Sequence, residues 1–144
     1  MSPDTIFTLC SNIAMGGWIV LIFLPFWVHS DKFILGIIIT LLSIVYAWLI
    51  FDTFRFSDIS KFGSLSGVME LFTNPVAVTA GWVHYLAFDL LAGIFVKRNS
   101  VKHNISHWII IPCLLMTFMF GPMGLLLYLL VRFIKTRQYF ASNF

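Results

Sequence analysis

Four long stretches of apolar residues, separated by short polar groups, divide the chain at about residues 5–28, 33–51, 75–96 and 108–131. Each stretch is close to the roughly 20 residues that an α-helix needs to cross about 30 Å of hydrocarbon. Backbone polar groups inside a bilayer must be satisfied within the segment, so the pattern predicts helices. We therefore expect an all-α, integral membrane four-helix bundle, multi-pass and built as a single transmembrane domain over residues 1–144.

The polar groups between the stretches indicate how the helices connect. Residues 29–32 form so short a turn that the second helix must return beside the first. Residues 52–74 are too long for a tight turn and too apolar for a free linker. Within them, SLSGVMELF (64–72) predicts a short helix that lies at the interface or re-enters the membrane between helices 2 and 3.

Four crossings would place both termini on the same side of the membrane as residues 52–74. The basic residues on that side would be Arg55, Lys61, Arg132, Lys135 and Arg137. Those on the other side would be Lys32, Lys97, Arg98 and Lys102. Basic residues favour the cytoplasmic side. Five against four is a small difference, so the sequence only slightly favours an orientation with both termini in the cytoplasm.

The composition excludes an ordinary soluble domain. The chain is 60% hydrophobic and only 10% charged, against roughly 25% charged residues in soluble domains. The net charge of +3 is spread over loops, where it suits anionic lipid headgroups and indicates no nucleic-acid partner. The two cysteines, Cys10 and Cys113, have no metal-like spacing from other ligands, and we interpret them as small apolar residues.

The third stretch contains GWVHYLAFDLLAG (81–93), which places ionisable residues in an apolar segment. At about 100° per residue, the helix has one aliphatic stripe and an opposite, mixed sector. The stripe is formed by Val76, Ala80, Val83, Ala87, Leu90 and Ile94. The opposite sector holds Gly81, Trp82, His84, Tyr85, Phe88, Asp89 and Ala92. We expect the aliphatic stripe to face lipid and the mixed sector to face the bundle interior.

An aspartate at this depth costs at least about 2.5 kcal/mol unless it is paired, protonated or hydrated. Asp89 could share a hydrogen bond with Tyr85, four residues earlier. His107 enters the membrane from the side near Asp89, whereas Glu70 and Asn74 lie towards His84. Each residue also has a purely structural alternative. Asp89 could form a buried hydrogen bond between helices, and His84 could be a neutral imidazole that bonds to a neighbouring carbonyl.

The GPMG segment (121–124) interrupts the fourth stretch in mid-membrane. Pro122 frees a carbonyl, and Gly121 and Gly124 thin the helix. A cavity against the third helix is therefore expected. Glu70, His84, Asp89 and His107 would together make a mixed nitrogen and oxygen site suited to zinc or non-haem iron. Because no HxxxH or HxxHH cluster exists, the sequence leaves the presence of a metal open.

Three segments resemble the abscisic-acid-deficient-four family, a neoxanthin synthase-like group of small membrane proteins. They are FGSLSGVMELFTNP (62–75), GWVHYLAFDLLAG (81–93) and PCLLMTFMFGPMGLLLYLLVR (112–132). The resemblance implies four membrane spans and a role in forming neoxanthin, a carotenoid made from violaxanthin. The residues to which it points are Trp82, His84 and Asp89, with Glu70 and Asn74 upstream and Pro122 in the kink.

The reaction implied by the resemblance is an isomerisation, in which a xanthophyll epoxide opens while a vinylic proton leaves to form an allene. It requires a base and an acid or Lewis acid. Our hypothesis assigns Asp89 as base or metal ligand and His84 as acid or ligand, with Glu70 and His107 as second contributors. The substrate would contact a wall of aromatic and methionine side chains: Trp82, Tyr85, Phe88 and Met119.

The expected partners are membrane lipid and a carotenoid or other apolar polyene or isoprenoid. Two alternatives remain open from the sequence. One is a non-enzymatic carotenoid-binding or assembly protein, and the other is a metal-dependent enzyme of oxidative carotenoid cleavage. A proton or ion pathway fits less well because the chain has only one ionisable helix. A homo-oligomer is also left open, since Gly16, Gly17 and the fourth stretch offer small residues without a clear GxxxG motif.

Overall fold

The computed structural model describes residues 1–138, apart from the side chains of Phe56 and Ser57. Within that part, all regular elements are helices, which confirms the all-α prediction. The elements are α1 (Pro3–Phe23), α2 (Ser30–Phe33), a π-helical segment (Ile34–Ile39), α3 (Thr40–Thr53), a 3-10 helix (Phe56–Gly63), α4 (Leu65–Leu71), α5 (Pro75–Lys102), α6 (His107–Phe120) and α7 (Pro122–Thr136).

Three helical runs are long and apolar enough to cross a membrane: Pro3–Phe23, Ser30–Thr53 and Pro75–Lys102. The second run joins α2, the π-helical segment and α3 without a break. Together with the composition, these three runs identify a membrane protein. The predicted short helix at residues 64–72 is also present, as α4 (Leu65–Leu71).

The helix starts follow from local sequence. The Ser2 side chain accepts a hydrogen bond from the Thr5 amide and caps α1, a standard use of serine before a helix. Asn74 Oδ1 accepts from the Val76 amide at 2.9 Å, and Pro75 occupies the first turn of α5, where its missing amide costs nothing. Helix α5 therefore begins at the residue predicted for the start of the third apolar stretch.

Side-chain contacts give the direction of each run. Helices α1 and α5 are parallel, because Trp82 hydrogen-bonds to Ser11, and Gly93, later in α5, packs against Leu21, later in α1. The second run is antiparallel to both, since Lys97 bonds to Asp31 at its start. We call the end with residues 54–74 the first end of the bundle, and the end with residues 24–29 and 103–106 the second end.

The fourth apolar stretch is not one crossing helix. Helix α6 ends at Phe120, and α7 turns back alongside it, so that a Cβ on Gly124 would overlap the backbone of Thr117. Gly121 makes the turn with φ +50°, a conformation that L residues avoid, and Pro122 starts the new helix. The predicted span 108–131 is therefore replaced by a helical hairpin whose arms, about 21–22 Å long, are too short to cross.

The hairpin changes the position of the C-terminal part. Arg132, near the end of α7, hydrogen-bonds to Asn99 at the second end, whereas α1 begins at the first end. The prediction that both termini share a side assumed four crossings, whereas the described part of α7 ends at the opposite end of the bundle from the start of α1. Seven of the nine basic residues now lie at the second end, and Arg55 and Lys61 lie at the first.

The two faces of α5 differ in part from the prediction: the aliphatic stripe is buried instead of facing lipid, and of the mixed sector only Asp89 is fully buried. The aliphatic stripe is buried against α1 and α3, with Ala80, Val83 and Leu90 at most 2% exposed. Trp82 and Phe88, from the opposite sector, are exposed. The reason is that lipid is as apolar as a packed helix, so hydrophobicity alone does not select the buried face.

Candidate functional site

The Asp89 side chain lies at the turn of the α6–α7 hairpin. It is 7% exposed, and its Oδ1 would be 2.8 Å from a Cβ placed on Gly121. The absence of that Cβ allows the hairpin turn to approach the carboxylate closely. Helix α7 begins at this point, and the partial positive charge of a helix N-terminus favours a carboxylate anion.

The Asp89 carboxylate is not fully satisfied by hydrogen bonds. Its Oδ2 is buried and has no hydrogen-bond partner among the described residues. The Tyr85 side chain interacts with the same carboxylate, and its hydroxyl donates to the Met119 carbonyl at 3.2 Å. Tyr85 therefore lies beside Asp89, as their spacing predicts. The unpartnered oxygen beside a hydroxyl gives a proton acceptor and a proton donor in one place.

Trp82 extends this site towards the first end. Its indole nitrogen donates to Ser11 Oγ at 2.9 Å, and its ring lies 5.1 Å from the Phe7 ring in a stacked arrangement and 5.5 Å from the Tyr85 ring. These contacts fix the orientation of the indole. Because the hairpin stops at Asp89, the fourth stretch leaves the Trp82 side chain partly exposed on the half of α5 nearer the first end.

The hairpin turn exposes three large apolar side chains: Met119 at 64%, Phe120 at 54% and Met123 at 55%. Pro122 begins α7 between two of them. Together with the aromatic side chains of α1 and α5, they form an apolar surface near the hairpin turn that covers Asp89. Met119, predicted to line the substrate wall, has an exposed side chain at this turn, and its carbonyl accepts the hydrogen bond from Tyr85.

His84 lies on a different face of α5 from Asp89. Its ring stacks on Phe88 with centroids 4.5 Å apart and contacts the Tyr46 ring of α3 at 5.5 Å. Asp89 instead faces the hairpin turn. The structure therefore does not bring the predicted histidine–carboxylate pair together, and Tyr85 occupies the position beside Asp89.

Glu70 and Asn74 lie at the first end, away from Asp89. The Glu70 carboxylate forms a 3.1 Å ion pair with Lys61, which also pairs with Asp58 at 3.1 Å. The hydrogen bond to Glu70, followed by that to Asp58, raises the pKa of the Lys61 ammonium. Asn74 caps α5. Both residues line a small cavity of about 230 Å³ between the 3-10 helix, α4 and the ends of α3 and α5.

His107 is the first residue of α6, and its Nε2 lies 2.9 Å from the Ile22 carbonyl oxygen. This contact joins the start of α6 to the end of α1 at the second end. The four candidate metal ligands are thus spread over both ends and two faces of the bundle. No three His, Cys, Asp or Glu side chains of the described part come together in a way that could hold a metal ion, so the predicted ligand set does not fit zinc or iron.

Sequence reasoning missed a buried polar network at the second end. Asn99 Oδ1 accepts hydrogen bonds from the Tyr128 hydroxyl at 2.6 Å and from Arg132 Nη1 at 3.2 Å. All three side chains are at most 4% exposed. The signal was the spacing of Tyr128 and Arg132, which places two polar groups one helical turn apart on an otherwise apolar segment. The network joins α7 to α5 and holds the hairpin in place.

A comparison with curated proteins finds no match, and a comparison with solved structures finds none either. The family comparison gives a match to the family described as ABA DEFICIENT 4-like, which covers residues 5–128. That range contains α1 to α5, the whole of α6 and the part of α7 that turns at Gly121 and carries Tyr128. The chain therefore belongs to the ABA4-like (ABA DEFICIENT 4-like) family.

Proposed function

We propose that this membrane protein is a carotenoid-modifying enzyme, an isomerase of the neoxanthin synthase type, with Asp89 as its base. The observation that carries the proposal is the buried Oδ2 of Asp89, which has no hydrogen-bond partner among the described residues. A buried carboxylate oxygen without a partner is costly in an apolar environment, and carboxylates within membrane segments commonly mark functional sites. Membership of the ABA4-like family supports the choice of substrate class.

The proposed chemistry needs only groups that adjoin one another. The Asp89 carboxylate removes the vinylic proton next to the epoxide, and the electron pair of that C–H bond forms the second double bond of the allene. The adjacent epoxide C–O bond breaks, and the oxygen takes a proton from the Tyr85 hydroxyl to become a tertiary alcohol. The proton then passes from Asp89 to the tyrosinate, which restores both groups without any net oxidation or reduction.

This assignment replaces His84 by Tyr85 as the acid. Tyr85 is chosen because its side chain interacts with the Asp89 carboxylate, whereas the His84 ring stacks on Phe88. A general acid must reach the reacting oxygen while the base reaches the proton. Two groups on adjoining turns of one helix meet that requirement.

We further propose an integral, multi-pass arrangement with three crossings and the α6–α7 hairpin entering from the second end. An apolar polyene would reach Asp89 from the bilayer beneath the hairpin turn. The side chains that it would meet there are aromatic or methionine: Trp82, Tyr85 and Met119. Aromatic faces and thioethers suit an extended apolar chain because they provide contact area without polar groups.

The test is expression in cells that accumulate violaxanthin, with pigments separated by chromatography. The intact protein should convert violaxanthin to neoxanthin. Asp89→Asn should abolish conversion, and Asp52→Asn, which changes an exposed carboxylate, should not. Unchanged pigments with intact, folded protein would refute the carotenoid assignment, and conversion by the Asp89→Asn protein would refute the site. Pigment that co-purifies without turnover would instead indicate a carotenoid-binding protein.

A further inference from the structure

An apolar groove runs along α5 on a face that does not carry Asp89. It encloses about 750 Å³, within the range of about 300–1,000 Å³ typical of small-molecule sites. Its apolar lining comes mainly from α5, and the π-helical segment and α7 each contribute one residue. The lining includes Phe88, Leu91, Ala92, Phe95, Leu35 and Leu125.

The groove ends in cationic and polar side chains. Arg98, Asn99 and Lys102 line it at the second end of the bundle. Arg98 donates from Nε to Asp31 Oδ2 at 2.9 Å, while its side chain is 61% exposed. Asp31 also pairs with the buried Lys97 at 2.9 Å. The ion pair therefore holds the guanidinium group at the mouth of the groove rather than leaving it mobile in solvent.

The charge distribution specifies the kind of ligand that this site suits. Seven of the nine basic residues lie at the second end, where they favour the leaflet that carries anionic headgroups. From Phe88 to Phe95 the apolar part of the groove follows α5 for about 10 Å at 1.5 Å per residue, and the polar end continues for about 10 Å to Lys102. An apolar groove that leads into a cationic end is complementary to part of one acyl chain attached to a phosphate headgroup.

We propose that this groove binds an anionic phospholipid, with one acyl chain along Phe88, Leu91 and Phe95 and the phosphate at Arg98 and Lys102. The proposal does not depend on the isomerase activity, since Asp89 faces the hairpin turn instead. The bound lipid would cover the face of α5 between the second run and the hairpin.

The proposal can be tested with purified protein in detergent, supplied with phosphatidylglycerol, phosphatidylcholine or inorganic phosphate. Native mass spectrometry should show a retained phosphatidylglycerol, and the thermal midpoint should rise with that lipid alone. Arg98→Gln and Lys102→Gln should each weaken retention about fivefold, the value expected for removing one basic residue from an anionic surface. Ala92→Phe should also weaken retention, because it fills the groove while keeping every charge.

The matched control is the double variant Lys32→Gln, Lys135→Gln, which removes two exposed charges from the same end outside the groove. It should retain phosphatidylglycerol as the intact protein does. Equal retention of phosphatidylcholine, equal stabilisation by inorganic phosphate, or equal loss in the control would each overturn the proposal. If Arg98→Gln disrupts folding through its ion pair with Asp31, Lys102→Gln and Ala92→Phe decide the result.

Discussion

The Asp89 carboxylate packs directly against the backbone of Gly121. An added Cβ at Gly121 would stand 2.8 Å from Asp89 Oδ1 and 3.4 Å from the Tyr85 ring. The rest of α5, the connection at residues 103–106 and α6 separate the two residues in the sequence. This contact therefore joins α5 to a distant part of the chain, the hairpin turn. Both the turn and the candidate site therefore require a glycine at position 121.

Gly121→Ala should impair both folding and activity. The glycine has φ +50° and ψ −102°, a sparsely populated conformation for L residues, so an alanine would add about 1–3 kcal/mol of backbone strain to the contact with Asp89. We expect a lower thermal midpoint and loss of pigment conversion. Gly16→Ala is the control, because a Cβ there has no heavy atom within 4 Å and alanine is favoured inside a helix by about 0.5–1 kcal/mol. Equal behaviour of the two variants would contradict the hairpin turn described above.

Comparison of Tyr85→Phe with His84→Ala should identify the acid. If Tyr85 protonates the epoxide oxygen, the phenylalanine variant should convert violaxanthin about 10²–10⁴-fold more slowly, the usual contribution of general acid catalysis. His84→Ala should retain most activity, since the imidazole stacks on Phe88 away from Asp89. Initial rates per folded protein, measured from pigment chromatograms, provide the readout. The reverse ranking would restore the histidine as the acid.

His107→Ala should affect stability rather than catalysis. The imidazole contacts the Ile22 carbonyl at 2.9 Å, and loss of such a hydrogen bond costs about 0.5–1.5 kcal/mol. Thermal unfolding in detergent should show this loss, while conversion per folded molecule stays unchanged. His29→Ala, an exposed histidine of the 24–29 connection, should change neither quantity. A selective loss of turnover in His107→Ala would return this residue to the catalytic set.

The length of the apolar stretches was sufficient to predict the three long helices, and the segment SLSGVMELF predicted α4. These predictions succeed because they rest on local properties: α5, for example, begins at Pro75, where the third apolar stretch begins. The face of α5 was predicted wrongly because an aliphatic stripe suits lipid and protein equally. Ala80 and Ala87 on that stripe were a signal for the buried side, since small residues permit close helix packing.

The reversal of the chain at Gly121 could not be predicted from the sequence. GPMG predicts a break, but a kinked crossing and a complete reversal use the same residues. The deciding contacts are distant in sequence: Tyr128 and Arg132 bond to Asn99, and Tyr85 bonds to the end of α6. Asp89 stands out in the sequence because it is an ionisable residue in an apolar segment. Its contact with Gly121 could not be predicted, because that contact depends on the reversal of the chain.

The direction of α7 can be tested by cysteine labelling on a background of Cys10→Ala and Cys113→Ala, which removes the two buried thiols. Three single variants are sufficient: Gly63→Cys at the first end, Lys32→Cys at the second end, and Lys135→Cys on α7. A membrane-impermeant maleimide added to sealed vesicles should label positions 32 and 135 from one side and position 63 from the other.

The structural reason for this expectation is the hairpin, which returns α7 to the end where Lys32 lies. Four straight crossings would instead give position 135 the labelling pattern of position 63. The unequal distribution of basic residues also predicts the absolute orientation, with positions 32 and 135 on the cytoplasmic side. Vesicles opened with detergent serve as the control, because all three thiols should then react. A thiol that remains unreactive in the opened vesicles is buried in the protein, so its lack of labelling would not indicate the opposite side. Labelling of position 135 together with position 63 would show that the fourth stretch crosses the membrane and that the reversal at Gly121 is wrong.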